Sequence, residues 1–329
     1  MMTTNNIDAG LGIYVLIPFC ISKCIYCGFY SAAGRPSTEE ESTYVNLLVQ
    51  EIESAKRPNR KVDSIFFGGG TPSTLKAESL IEVLDAIRDF FDVTDDCEIT
   101  LEANPGAVSE AYLSKLHDAG FNRISMGCQS FSDDVLKTLG RIHRSNDARE
   151  SFAAARAAGF DNINLDLMFS VPGADEDIWQ DTLGQMLELS PEHISFYSLQ
   201  IEEETPLYDM YKNGVFAEVT DEADRKMYHM AIECLKSSGY KHYEISNAAK
   251  PGFECRHNLK YWSLSDYLGF GKSASSYIDG VRFTNATDEG YGKGVLMERD
   301  FLKNSKTRNM IESSDAEFAK YKDSEFHVN

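Results

Sequence analysis

Tyr14-Val-Leu-Ile-Pro-Phe-Cys20-Ile-Ser-Lys-Cys24-Ile-Tyr-Cys27-Gly-Phe-Tyr-Ser31 sets three cysteines within eight residues, directly after an apolar run that reads as a buried strand. Thiolates this close at the mouth of a strand can share one soft metal centre, and Cys sulfur is the usual protein ligand of iron–sulfur clusters. The number three is informative. A structural zinc site is normally closed by four protein ligands, and the position two residues on is Phe29. A cluster on three cysteines keeps one iron open for a small molecule. The alternatives are three free thiols, since free Cys is a common buried hydrophobe, or a zinc site completed from far along the chain.

Outward from this loop the chain alternates strands and helices. Ile13 to Ile17 is the first strand, and Thr38 to Lys56 carries Tyr44, Leu47, Leu48 and Ile52 as the stripe of an amphipathic helix. The unit recurs with strands at Ser64 to Phe67, Glu98 to Glu102, Arg123 to Met126, Ile163 to Phe169 and His193 to Leu199. Between them come helices over Lys76 to Phe91, up to His117 with Gly120 as its stop, after Ser132, over Ala148 to Ala158, and around Asp177 to Leu189. Six alternating strands predict a parallel α/β sheet with right-handed crossovers. A closed or partial barrel and an open doubly wound sheet both satisfy the pattern, and both place ligands at the carboxyl ends of the strands.

After residue 200 the rhythm changes. Glu202 to Asn213 reads as a connecting helix-turn, Asp221 to Ser237 as an amphipathic helix and His242 to Ile245 as a short strand. Pro251 to Tyr277, rich in aromatics, Gly and Ser, reads as loops wrapped on the barrel mouth. The expected organisation is therefore a barrel over residues 1–200, an extension over its mouth at 201–290, and an irregular tail at 291–329.

A hydrophobic fraction of 42% and a charged fraction of 26% are those of a globular protein with ample core. A net charge of −20 speaks against a nucleic-acid partner, which needs a basic face. No apolar run is long enough to cross a bilayer, and the first residues do not resemble a signal peptide. Seven cysteines, an odd number with three in one loop, argue for a reducing compartment, so a cytoplasmic location is expected.

The polar residues with a functional reading sit where strands end. Gly68-Gly69-Gly70-Thr71-Pro72 lets a ligand approach the backbone, though three glycines also make an ordinary tight turn. Glu102 ends the third strand, where a carboxylate suits ribose hydroxyls or an ammonium group. Gln129, Arg141 and Asp166 hold corresponding positions, and Asp166 lies within an apolar strand, where a charge needs a partner or a function.

Taken in order, Y-V-L-I-P-F-C-I-S-K-C-I-Y-C, F-F-G-G-G-T-P-S, L-E-A-N-P, I-S-M-G-C-Q-S-F, L-G-R-I-H and D-L-M-F-S-V-P-G resemble one group of radical SAM proteins. The group comprises the oxygen-independent coproporphyrinogen III oxidases and their haem-chaperone relatives. The resemblance runs from about Tyr14 to about Tyr277. It implies a partial (β/α)6 TIM-like barrel, with Cys20, Cys24 and Cys27 holding a 4Fe-4S cluster. It also implies that Tyr14, Tyr26, Gly69, Gly70, Thr71, Glu102, Gln129, Arg141 and Asp166 bind S-adenosylmethionine. Phe29 in place of a further cysteine, and Arg256-His257-Asn258-Leu259-Lys260-Tyr261-Trp262 matching an H-N-x-x-Y-W element, point to the chaperone branch over the oxidase. On that branch His257 is a candidate haem ligand, its alternative being a plug that seals the barrel. A haem-accepting protein and an electron donor are the implied partners. The usual C-terminal helical domain of the family has no counterpart in the tail.

Overall fold

The computed structural model describes residues 10–57, 60–287 and 291. Six parallel strands stand side by side in sequence order, namely β1 (Leu11–Ile17), β2 (Lys61–Gly69), β3 (Asp92–Ala103), β4 (Arg123–Gln129), β5 (Ile163–Phe169) and β6 (His193–Ser198). The crossovers are helical: α1 (Thr38–Ser54), α2 (Ala77–Phe90), α3 (Glu110–Asp118), the pair α4 (Asp133–Thr138) and α5 (Ser145–Ala157), and α6 (Glu176–Leu189). Local chemistry sets their ends. Ser37 and Glu40 form a capping box on α1, Asp175 caps α6, and Gly120 and Gly159 take left-handed backbone just after α3 and α5.

Burial explains why the strands lack a simple alternation of apolar and polar residues. One face packs on the helices through an apolar core that includes Ile13, Ile65, Leu101, Ile124, Leu165 and Ile194. The other face is also covered, yet it carries Ser64, Thr100, Arg123, Ser125, Asn164 and Ser195, all buried. Neighbouring strands bring these polar residues into lateral register, with Thr100 opposite Arg123, Ser125 opposite Asn164 and Asp166 opposite Ser195.

Beyond β6 the chain continues through α7 (Pro206–Lys212) and α8 (Asp221–Ser237) into β7 (Lys241–Glu244) and β8 (Asn247–Ala249); β8 pairs antiparallel with β6, and β7 pairs antiparallel with β8 at the edge. The expectation of loops over Pro251 to Tyr277 is corrected. That stretch holds α9 (Arg256–Trp262), β9 (Tyr267–Phe270) and most of β10 (Ser275–Ile278), followed by β11 (Val281–Thr284). β9 is parallel to β1 and pairs with its outer edge, so the full order is β11-β10-β9-β1-β2-β3-β4-β5-β6-β8-β7. No pairing among the described residues joins the two edges, so the barrel is partial.

The position of α9 also departs from expectation. Lys260 Nζ donates to Gly10 O at 2.6 Å and pairs with Asp63 at 2.7 Å, and Arg256 pairs with Asp96. Gly10 precedes β1, and Asp63 and Asp96 lie in the amino-terminal halves of β2 and β3, so the H-N-x-x-Y-W helix packs at the amino-end side of the sheet and closes the floor of the barrel and not its mouth. The expected irregular tail lies outside the described residues apart from Tyr291, whose hydroxyl donates to Glu51 at 2.7 Å.

Candidate functional site

A cavity of about 650 Å³ opens at the carboxyl ends of the strands, large enough for a cofactor-sized ligand. The cysteine loop forms one wall. Two backbone bonds fold it back on itself, from Ala32 N to Pro18 O at 2.7 Å and from Gly34 N to Cys20 O at 2.8 Å. Leu207 N ties it to α7 through Ile25 O, and Ile25 and Tyr26 pack on a small cluster of Val135, Leu139, Val171, Leu199 and Leu207.

The three thiols are unpaired and line the cavity. Arg141 Nη1 donates to Cys24 Sγ at 3.2 Å, and Thr71 Oγ1 donates to Cys20 Sγ at 3.6 Å. Burial pushes the Cys27 thiol up, partly offset by the Phe29 backbone N–H that it accepts. Burial disfavours the Arg141 charge, but Tyr26 and Cys24 beside it hold the guanidinium cationic. Among the described residues no three His, Cys, Asp or Glu side chains converge as a site for one metal ion. Donors aimed at sulfur, and thiols arrayed around a wall instead of around a point, fit a cluster whose irons are ligated one by one.

The glycine segment forms the adjoining wall. Gly70 N donates to Ile17 O and Thr71 N to Phe19 O, so this segment is zipped onto the chain that leads into the cysteines. A Cβ on Gly70 would lie 2.7 Å from Phe19 O and 2.9 Å from Ile17 O, which backbone cannot relieve. Gly69 has φ +106°, open to glycine at little cost. Across the cavity Gln129 Oε1 is buried without a partner, an orphaned acceptor of the kind a bound ligand satisfies.

Two carboxyl groups sit deeper. Burial, then the charge of Asp166, pushes Glu102 up to about 8, and burial likewise raises Asp166 although Asn164 and Ser195 hydrogen-bond it. Asn164 Nδ2 donates to Asp166 Oδ1 and to Ser125 Oγ, each at 2.7 Å. An acid whose folded pKa is raised binds its proton more tightly in the native state, so stability falls as pH rises from about 4 towards 8. Glu102→Gln should remove that loss. In thermal melts of the metal-free protein it is expected to exceed wild type at pH 8 and to give up the advantage by pH 5, with a slope approaching about 1.4 kcal/mol per pH unit. Parallel melting curves at the two pH values would count against a buried, protonated Glu102.

Of the residues singled out in sequence, Cys20, Cys24, Cys27, Tyr26, Gly69, Gly70, Thr71, Glu102, Gln129, Arg141 and Asp166 all line this cavity. Tyr14 and His257 do not. Tyr14 stacks between Phe66 at 5.9 Å and His257 at 6.2 Å, with its hydroxyl beside the Glu102 carboxyl at Gly68. His257 is 1% exposed, with Nδ1 3.1 Å from Ser64 Oγ and Nε2 2.9 Å from Tyr261 OH. Burial holds it neutral, its pKa lowered to about 3. As folded, the imidazole offers no free nitrogen to an iron, and it acts as the plug of the barrel.

Sequence reasoning missed Asn104, Arg123, Ser125, Asn164 and Ser195, which also face the cavity. The available signal was period two: Arg123, Ser125 and Gln129 share a face of β4, and Asn164 and Asp166 share a face of β5.

A protein-family model described as the radical SAM superfamily matches residues 14–186. The "Heme chaperone HemW" of Bacillus subtilis is 39% identical over 293 residues, spanning 88% of this chain and 76% of the relative. The protein of the same name from Haemophilus influenzae is 41% identical over 80% of this chain and 69% of its own length, and that of Escherichia coli 37% identical over 88% and 76%. The solved structure of coproporphyrinogen III oxidase (HemN) from Escherichia coli, titled a radical SAM enzyme, superposes with a TM-score of 0.75 at 26% identity. It covers 85% of this chain and 68% of that one.

Proposed function

This chain belongs to the radical SAM superfamily and, within it, to the family of the HemW heme chaperones, and from that premise we propose that it binds haem and passes it to an acceptor protein. Cys20, Cys24 and Cys27 would hold a 4Fe-4S cluster, which would supply an iron site for S-adenosylmethionine. The chain's own residues shape the rest of the site. Gly69 and Gly70 let the ligand approach the protein backbone closely, while Glu102, Gln129 and Asp166 offer acceptors for its hydroxyl and ammonium groups.

The observation that carries the choice between transport and porphyrinogen oxidation is Phe29. It stands where the oxidase pattern has a further cysteine, and its ring is 72% exposed at the cavity's rim. An apolar ring there gives a flat porphyrin a surface to lie on and supplies no sulfur. An electron donor and a haem acceptor are the expected partners. The described residues contain no helix long and apolar enough to cross a membrane, and the seven unpaired cysteines favour a reducing cytoplasm.

The test is anaerobic reconstitution followed by parallel challenge with haem and with coproporphyrinogen III. A shifted Soret band with haem, and no release of decarboxylated product, is expected. Product together with 5′-deoxyadenosine would establish the oxidase instead. Haem ligation by His257 requires one of its two hydrogen bonds, to Ser64 or to Tyr261, to be surrendered, so His257→Ala is included. A weaker Soret shift in the folded variant would support release of α9 from the floor on loading, and an unchanged one would move the haem site elsewhere.

A further inference from the structure

Side chains after β2, after β3 and in the turn between α4 and α5 form one continuous hydrogen-bond chain between two of the loop cysteines. Arg141, after β4, donates from Nη1 to Cys24 Sγ at 3.2 Å and from Nη2 to Asn104 Oδ1 at 2.7 Å. Asn104, after β3, donates from Nδ2 to Thr71 Oγ1 at 2.9 Å. Thr71, after β2, donates onward to Cys20 Sγ at 3.6 Å. Arg141 is anchored independently by a second Nη2 bond to Gly127 O at 2.7 Å.

The direction of this chain is forced. A guanidinium has donors only, so the amide of Asn104 must turn its oxygen to Arg141 and its nitrogen to Thr71. The Thr71 oxygen therefore accepts, and its single hydrogen is left for Cys20. Flipping the amide would set two donors face to face and would let Thr71 bond to Asn104 in place of the sulfur. Asn104 is thus the hub through which the orientation of Arg141 reaches Cys20.

We infer that Arg141, Asn104 and Thr71 form a positioning network that holds donors on Cys24 and Cys20 and raises the reduction potential of the cluster they ligate. Hydrogen bonds to cluster sulfurs stabilise the reduced, more negative form, and a charged donor does so most strongly. This inference rests on the cluster reading above and extends it to Asn104.

Redox titration of the anaerobically reconstituted chain, followed by the electron paramagnetic resonance of the reduced cluster, reads the network without turnover. In Asn104→Ala and Thr71→Val the midpoint is expected to fall, with the reduced-to-oxidised ratio at fixed potential dropping about tenfold, or ~59 mV for a one-electron couple. Asn104→Asp keeps an acceptor for Arg141 but loses the amide donor, and it should fall likewise. Thr71→Ser keeps the hydroxyl and should stay near wild type. Wild-type protein that assembles no cluster overturns the cofactor reading itself. A wild-type cluster whose potential matches that of Asn104→Ala and Thr71→Val overturns the network alone. Thr71→Ser shifting as far as Thr71→Val, or losing its cluster along with it, also overturns the network, whereas cluster loss in Thr71→Val alone supports it.

Discussion

Cys24→Ala is expected to leave anaerobic reconstitution colourless, without the broad visible absorption and bound iron and sulfide of the wild type. With only three cysteines in the loop, each would hold one iron of the proposed cluster, and no other described thiol is placed to replace one. The free thiols Cys97, Cys128 and Cys255 are buried, and burial pushes each up to about 12, far from the thiolate a metal needs. Cys128 accompanies the sheet core, and Cys255 Sγ donates to Glu98 Oε1 at 3.4 Å beneath the barrel. The fold should survive the substitution, because Cys24 lies on a partly exposed loop whose tethers are backbone bonds made by its neighbours. A Cys24→Ala protein that retained full iron and sulfide with an unchanged spectrum would place the cluster ligands elsewhere.

Arg123→Leu should have the largest effect on stability. The guanidinium is 1% exposed, makes one hydrogen bond, from Nη1 to Thr100 Oγ1 at 3.4 Å, and leaves Nε unpartnered. Burial works against its charge, yet Cys255, Glu98, Tyr243 and Asp166 around it hold it firmly cationic. It supplies positive charge beside buried acids, so its removal leaves Asp166 with less compensation in a low-dielectric interior. Breaking a buried charge arrangement from one side costs about 3–5 kcal/mol, and for a chain of this length that is roughly 10 °C of melting temperature. The sign with pH follows from Asp166, which burial raises and Arg123 holds down. Without Arg123 its folded pKa rises further, so the deficit should widen from pH 5 to pH 8, and a melting temperature equal to wild type at both would refute the role.

Much of the site was legible because its chemistry is local. Cys20, Cys24 and Cys27 lie on one turn-rich loop, Gly69, Gly70, Glu102 and Gln129 sit at or near strand ends, and Asp166 is a charge within an apolar strand. Strand ends in a parallel α/β sheet converge whatever the helices between them do. The periodicities of Tyr44, Leu48 and Ile52 on α1, and the apolar residues alternating with Asn164 and Asp166 along β5, were enough to place those elements.

His257 shows where that reading stops. From the residues alone the seal is the simpler reading and the haem ligand comes only with the family resemblance, while its partner Ser64 is 193 residues away. Only the packing of α9 under β1, β2 and β3 reveals that both nitrogens are already used. β9 was missed for a similar reason. Tyr-Leu-Gly-Phe is too short and too close to Gly and Ser to show a period, and it becomes a strand because β1 offers an open edge with parallel register.

The sequence by itself determined the alternating α/β plan, the three-thiolate loop and the ring of polar strand ends, since each depends on residues that are neighbours along the chain. The tertiary structure alone decided that the sheet stays open with β9 on its outer edge, that α9 plugs the floor, and that Arg141 reaches Cys20 through Asn104 and Thr71. Those outcomes depend on side chains brought together from separate crossovers, where hydrogen-bond direction and burial select one arrangement that no local pattern encodes.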